Sequence, residues 1–194
     1  VVSFGAGEPD FPTPSWIIEE AKAAMDRGET RYTPASGTMK LKKAICGKLE
    51  RENGLHYAPD EIVVSNGAKH SLFNACMAIL DEGDEVIIPA PYWVTYPELV
   101  RMAGGVPVFV ETKSENGYVM TAADFEAAIT PKTRALILNT PSNPCGAMYS
   151  EPQLAELAKI AIAHDLIVVS DEIYEALCYD GERQVSIASL DGMR

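Results

Sequence analysis

Four short stretches carry residue types that chemistry could use: "SDEIYE" from Ser170, "NTPSNPCG" from Asn139, "APYWVTYPE" from Ala90 and "NGAKHS" from Asn66. In the first, Asp171 follows directly on the apolar run "LIVVS". An acid so placed needs a cation or hydrogen-bond donors, because burying a bare carboxylate is costly. Tyr174 lies three residues on, near enough to share a ligand with that carboxylate, while Glu172 points the other way if the backbone stays extended. The alternative use of Asp171 is to cap a following helix. In the second stretch, two X-Pro steps and a glycine predict an extended, stiff loop that aims the Asn143 amide in one direction. A proline-rich turn without a ligand is the competing reading. Trp93, beside Pro91 and Tyr92, offers a flat ring that stacks on a planar ligand or else packs in the core. Asn66-Gly67-Ala68-Lys69 either leaves backbone N–H groups free for an anion at a helix start or simply turns the chain.

The elements that must position these residues are short. Five apolar runs read as strands: "EIVVS" from Glu61, "EVIIP" from Glu85, "VPVFV" from Val106, "ALILN" from Ala135 and "LIVVS" from Leu166. Their lack of strict alternation predicts burial on both faces. Helical patterns lie between most of them. Thr13 and Pro14 open the first as N-cap and N1, with Ile17, Ala21, Ala24 and Met25 along one face. Leu41, Ile45 and Leu49 form the stripe of the second, which Asn53-Gly54 ends. Leu72, Phe73, Cys76, Ile79 and Leu80 mark a third, Thr121 with Asp124 caps a fourth, and Ser150 with Gln153 makes a capping box for a fifth. Strands alternating with helices predict an α/β fold, a mainly parallel sheet with helices on both faces. Ligands in such a sheet bind beyond the carboxyl ends of the strands, which is where the four stretches fall.

Bulk composition narrows the partners. The chain has 194 residues, enough for one sizeable core, and a formal charge of -12 from 16 basic against 28 acidic residues. That balance repels phosphate backbones and anionic membranes, so neither nucleic acid nor membrane is an expected partner. Cys46, Cys76, Cys145 and Cys178 are widely spaced and read as free packing thiols of a reducing, cytoplasmic compartment. No apolar run approaches the ~18 residues of a membrane span.

An anion site, a flat ring, an acid for a ring nitrogen and donors for a phenolate oxygen together describe pyridoxal 5'-phosphate. With these features the chain resembles the class I aminotransferases of the fold-type I pyridoxal phosphate enzymes, on the aspartate and aromatic aminotransferase branch. The resemblance runs through "GAGEPDFPTP", "RYTPASGTMKLKKAI", "NGAKHSLFN", "PYWVTYPE", "NTPSNPCGAMYS" and "SDEIYE". Each motif alone is weak, but the ordered series is specific. It implies that residues 1–14 are an N-terminal segment near the active site and that 15–194 form part of the cofactor-binding large domain. It also implies that Gly67, Ala68 and Lys69 cradle the phosphate, Trp93 stacks on the ring, and Asp171 pairs with the pyridine nitrogen. Asn143 and Tyr174 would bond the ring oxygen. Gly7, Trp93 and Asn143 would meet substrate, and Tyr32 would reach the phosphate of the partner subunit in a homodimer.

The activity so implied is amino transfer between an amino acid and a 2-oxo acid, in amino acid biosynthesis, with Asp171 and Tyr174 in catalytic roles. Two departures stand out. Cys145 occupies a position where the family usually has threonine. The lysine that forms the Schiff base in this family is implied to lie beyond Arg194, since none of Lys22, Lys40, Lys42, Lys43, Lys48, Lys69, Lys113, Lys132 and Lys159 sits in a Ser-x-x-Lys motif. The remainder of the large domain and the small domain are implied to lie there too, and the chain alone is expected to be inactive. Two other readings share the same motifs: a β-lyase of the same fold and a non-catalytic cofactor-binding module.

Overall fold

The computed structural model describes Gly7 and residues 11–194, and these fall into two units, 1–35 and 36–194. Most of the 1–14 segment, including all of the "GAGEPD" stretch but Gly7, lies outside the described residues. The first unit carries helix α1, Ser15–Asp26, whose N-cap is Pro14, one residue later than the Thr13-Pro14 pair predicts.

In the second unit four strands form one sheet: β1 Glu85–Ala90, β2 Val106–Glu111, β3 Thr133–Asn139 and β4 Ile167–Asp171. Their order is β2-β1-β3-β4 and every neighbouring pair is parallel. Helices α2 (Met39–Lys48), α3 (Ala68–Ile79), α4 (Tyr96–Met102), α5 (Ala122–Ala128) and α6 (Glu151–Ala163) complete it. The two faces of the sheet are covered by separate apolar layers, as strand alternation requires. Val86, Ile88, Ala135 and Ile137 pack with Leu72 and Cys76 of α3 and Tyr96, Leu99 and Val100 of α4. Ile87, Leu136 and Leu138 face the other way, onto Phe125 of α5 and Leu154, Leu157 and Ala161 of α6. Helices therefore lie on both faces, as the sequence pattern predicts.

Most of the local signals act as expected. The Thr121 hydroxyl accepts from the Asp124 amide at 3.2 Å to start α5, and the Ser150 amide donates to Gln153 Oε1 at 2.9 Å to start α6. Gly54, at φ 68, closes the widened turn Leu49–Asn53 that follows α2. The α2 stripe differs from expectation: Leu41 is exposed, and Lys42 is buried and donates to Ser36 Oγ at 3.0 Å.

One expected strand is absent. Residues 62–65 form no strand and pair with none of the sheet. Ile62 is buried and Val63 is 65% exposed, so this run covers a core on one side only. Its tie is to the segment before α2, through the Val64 amide and the Ser36 carbonyl at 3.0 Å. Gly37 makes that approach possible. It sits at φ 97, and a Cβ there would lie 2.6 Å from Val64 Cγ2 and 2.8 Å from Val64 Cβ. Valine is stiff at χ1 and cannot step aside. Gly37→Ala is therefore expected to lower the unfolding free energy by about 2 kcal/mol in a denaturant titration. An unchanged midpoint would contradict this close packing of Gly37 on Val64.

Candidate functional site

The chain leaves β1 toward β2 on one side of the sheet and leaves β3 toward β4 on the other, so the direction of winding reverses between the adjacent strands β1 and β3. Loops diverge at such a point and open a crevice beyond the carboxyl ends of the strands. A cavity of about 120 Å³ lies there, lined by Ala68, Trp93, Tyr96, Asn139, Asn143, Asp171, Ile173 and Tyr174. The strand-end stretches singled out in the sequence converge on this one cavity.

Asp171 is the last residue of β4 and is 9% exposed. Its Oδ2 accepts a hydrogen bond from the Tyr96 hydroxyl at 2.7 Å, and its Oδ1 accepts from the Ile173 amide at 3.2 Å. The local bond resembles a cap, yet no helix follows, so the capping alternative fails. Glu172 is turned to other partners, accepting from Ser170 Oγ at 2.8 Å and Ser186 Oγ at 2.7 Å. Burial and then the bond to Asp171 push the Tyr96 phenol far above the usual tyrosine range. Tyr96 therefore remains a neutral donor, and the carboxylate keeps lone pairs free toward the cavity.

The loops after β3 and β4 are tied together by a residue that its sequence context does not single out. Asn139 and Asp171 are register partners at the ends of neighbouring strands. The Asn139 side chain accepts from the Asn143 backbone amide at 2.7 Å and donates to the Asp171 carbonyl at 2.9 Å. Asn143 in turn lies 3.4 Å from the Tyr174 hydroxyl. The loop carrying Asn143 is not extended as the prolines suggest. It folds back on itself through Gly146 at φ 68, with the Ser142 amide donating to Ala147 and the Gly146 amide to Ser142, both at 2.9 Å.

Trp93 lines the cavity and meets Tyr96 edge-on, with ring centroids 5.4 Å apart. Tyr92 is instead stacked on Phe109, with ring centroids 4.8 Å apart. Across from Trp93, Gly67 caps α3 at φ 81 with no side-chain cap, and Ala68 opens the helix into the cavity. Among the described residues no protein acceptor meets the Ala68 and Lys69 amides. Free amides at the positive end of a helix dipole suit an anion. The Lys69 ammonium lies over the Trp93 ring, 5.0 Å from its centroid.

Seven of the nine predicted site residues thus belong to one neighbourhood: Gly67, Ala68, Lys69, Trp93, Asn143, Asp171 and Tyr174. Gly7 and Tyr32 belong to the 1–35 unit. Tyr96 and Asn139 are site residues that the sequence pattern does not predict. A signal for Tyr96 exists, since Pro97 directly after it marks the first turn of a helix and places Tyr96 one turn from Trp93.

The sequence pattern of the family described as aminotransferase class I and II matches residues 1–193. The chain belongs to this family. It is 52% identical over 190 residues to an aspartate aminotransferase of Bacillus sp. (strain YM-2), covering 98% of this chain and 48% of that protein. With an aspartate/prephenate aminotransferase of Thermus thermophilus it shares 51% over 182 residues, covering 94% and 47%. The aromatic aminotransferase structure from Pyrococcus horikoshii superposes with a TM-score of 0.97 at 46% identity, covering all of this chain and 52% of that one. The chain therefore spans about half the length of the relatives it matches. Class I aminotransferases of this family use pyridoxal 5'-phosphate. The donor set of the cavity fits that cofactor: a buried acid, an indole face, an amide beside a phenol, and free helix amides.

Tyr96→Phe deletes only the hydroxyl that meets Asp171. Leaving a buried acceptor without its donor is expected to lower the stability of the cofactor-free protein by about 1–3 kcal/mol. Denaturant unfolding without cofactor checks this, and a stability equal to the parent's would show that the bond contributes nothing.

Proposed function

We propose that the whole protein transfers an amino group between an amino acid and a 2-oxo acid, with aspartate or an aromatic amino acid as donor. The observation that carries this reading is the buried Asp171 carboxylate, held by Tyr96 at 2.7 Å and opening on a cavity shared with Trp93, Asn143 and Tyr174. When bound, pyridoxal 5'-phosphate supplies an electron sink for the pair left on the substrate Cα. This chain's own residues bind and orient it. Asp171 holds a proton on the ring nitrogen, since an opposite charge within ~4–6 Å favours the cationic form. Trp93 covers one ring face and excludes water from it. Asn143 and Tyr174 donate to the ring oxygen, and the turn Gly67-Ala68-Lys69 holds the phosphate through the free Ala68 and Lys69 amides, the Gly67 amide being bonded to the Ser65 carbonyl at 2.9 Å. Gly7, Trp93 and Asn143 are the residues proposed to meet the substrate.

Several wider features go with this reading. The proposed arrangement is a homodimer in which Tyr32 reaches the partner subunit's phosphate site. Residues 15–194 are proposed to belong to the cofactor-binding large domain. A cytoplasmic setting fits the four free cysteines, a role in amino acid biosynthesis goes with the proposed amino transfer, and no helix among the described residues is long and apolar enough to cross a membrane.

The test is a coupled assay of the full-length protein with 2-oxoglutarate and aspartate, phenylalanine or tyrosine. Glutamate formation that depends on added cofactor is expected. Pyruvate and ammonia from a cysteine conjugate, without glutamate, would establish the β-lyase instead, and cofactor binding without turnover would establish the binding module. In the same protein, Asp171→Ala is expected to retain some cofactor and to lose more than tenfold in turnover, about 1.4 kcal/mol of barrier. A smaller loss would remove Asp171 from the chemistry.

A further inference from the structure

Tyr174 sits in a stretch that belongs to no helix or strand. The chain turns twice there, with the Glu175 amide donating to the Glu172 carbonyl at 3.0 Å and the Leu177 amide to the Tyr174 carbonyl at 2.8 Å. Such turns shape the loop but do not fix where it stands against the sheet. Its aim matters, because the Tyr174 hydroxyl lies 3.4 Å from the Asn143 amide nitrogen, at the outer limit of a hydrogen bond. A few tenths of an ångström decide whether the two groups act on one atom.

The residue next to Tyr174 is gripped from the far side of the sequence. Glu175 Oε1 accepts from Lys48 Nζ, and Glu175 Oε2 accepts from Asn53 Nδ2 at 2.9 Å. Lys48 also donates to Asn53 Oδ1 at 2.8 Å, so the three side chains close a triangle. Lys48 ends α2, and Asn53 ends the widened turn after it, 127 and 122 residues before Glu175. Burial alone would raise the Glu175 carboxyl, but the bonds from Lys48 and Asn53 outweigh it and hold the group below the usual carboxylate range. The triangle is about one-third exposed, where an ion pair adds little to global stability. Its consequence is geometric.

We propose that Glu175 is a positioning residue: the Lys48–Asn53–Glu175 triangle holds the Tyr174 hydroxyl beside Asn143, where both meet the ring oxygen of the bound cofactor. The inference rests on the aminotransferase reading. It assigns α2 a part in the site although none of its side chains lines the cavity.

The test uses the full-length protein with the variants Glu175→Ala, Lys48→Met, Tyr174→Phe and the double variant Glu175→Ala/Tyr174→Phe. Two quantities are measured: the dissociation constant for pyridoxal 5'-phosphate added to cofactor-free protein, and kcat with KM. Glu175→Ala and Lys48→Met are expected to weaken cofactor binding in the same direction as Tyr174→Phe and to lower kcat about tenfold, since small misplacements cost up to ~10²-fold. In the Tyr174→Phe background Glu175→Ala is expected to add less than about twofold, because coupled residues are not additive. Lys159→Met, which breaks an exposed pair with Glu156, serves as the unaffected control. Equal losses from Glu175→Ala with and without the Tyr174 hydroxyl, or no loss at all, would overturn the proposal while leaving the function intact. If Glu175→Ala does not fold, Lys48→Met and its double variant with Tyr174→Phe make the same distinction. A parent protein that binds no pyridoxal 5'-phosphate would overturn the aminotransferase reading and this inference with it.

Discussion

A buried carboxylate at the end of a parallel strand is the constraint around which the rest of this structure is arranged. Asp171 cannot be left dry and unpartnered, because an isolated buried charge costs far more than the marginal stability of a domain allows. The chain meets it with one phenol and one backbone amide, which satisfy two lone pairs and leave the cavity side open. The partners come from β4's own loop and from α4, on the opposite side of the winding reversal. The sheet order β2-β1-β3-β4 brings the loops after β1, β3 and β4 to one place, where the acid finds both partners.

What the sequence reveals depends on whether the signal is local. Caps such as Thr121 with Asp124 and Ser150 with Gln153 are bonds between residues three apart, and they are legible. So are the four runs that pair in register, although the predicted burial on both faces holds for β1 and β3 and not for the edge strands, β2 being largely exposed and β4 half-buried. "EIVVS" has the same composition, but its pairing depends on what lies beside it, and in the folded chain it lies against Ser36 and Gly37. Helix α4 is hidden for the converse reason. Tyr96–Met102 is a short element whose opening residues look like a proline-interrupted loop, and its burial against β1 and β3 is a tertiary fact.

The site shows the same division. Asp171, Asn143, Trp93 and the Gly67–Lys69 turn stand out because acids, amides, indoles and glycines are unusual at strand ends. Asn139 does not stand out and Tyr96 shows only through the helix start that Pro97 marks, because the bonds each makes reach another residue across a distance the sequence does not encode. Asn139 opens the "NTPSNPCG" motif yet reads as the end of a strand. Its amide bridges two loops only because β3 and β4 align it with Asp171.

The two apolar layers of the sheet are unequal neighbours of this site. Tyr96, which holds the acid and buttresses the indole, is itself a member of the layer under α3 and α4. The layer under α5 and α6 contains none of the residues that line the cavity. Substitutions that accumulate in the second layer can tune how firmly the domain holds together while leaving the chemistry alone. Those in the first alter both at once. Divergence within this family should therefore be lopsided across the sheet, with one face free to drift and the other held by the acid it serves.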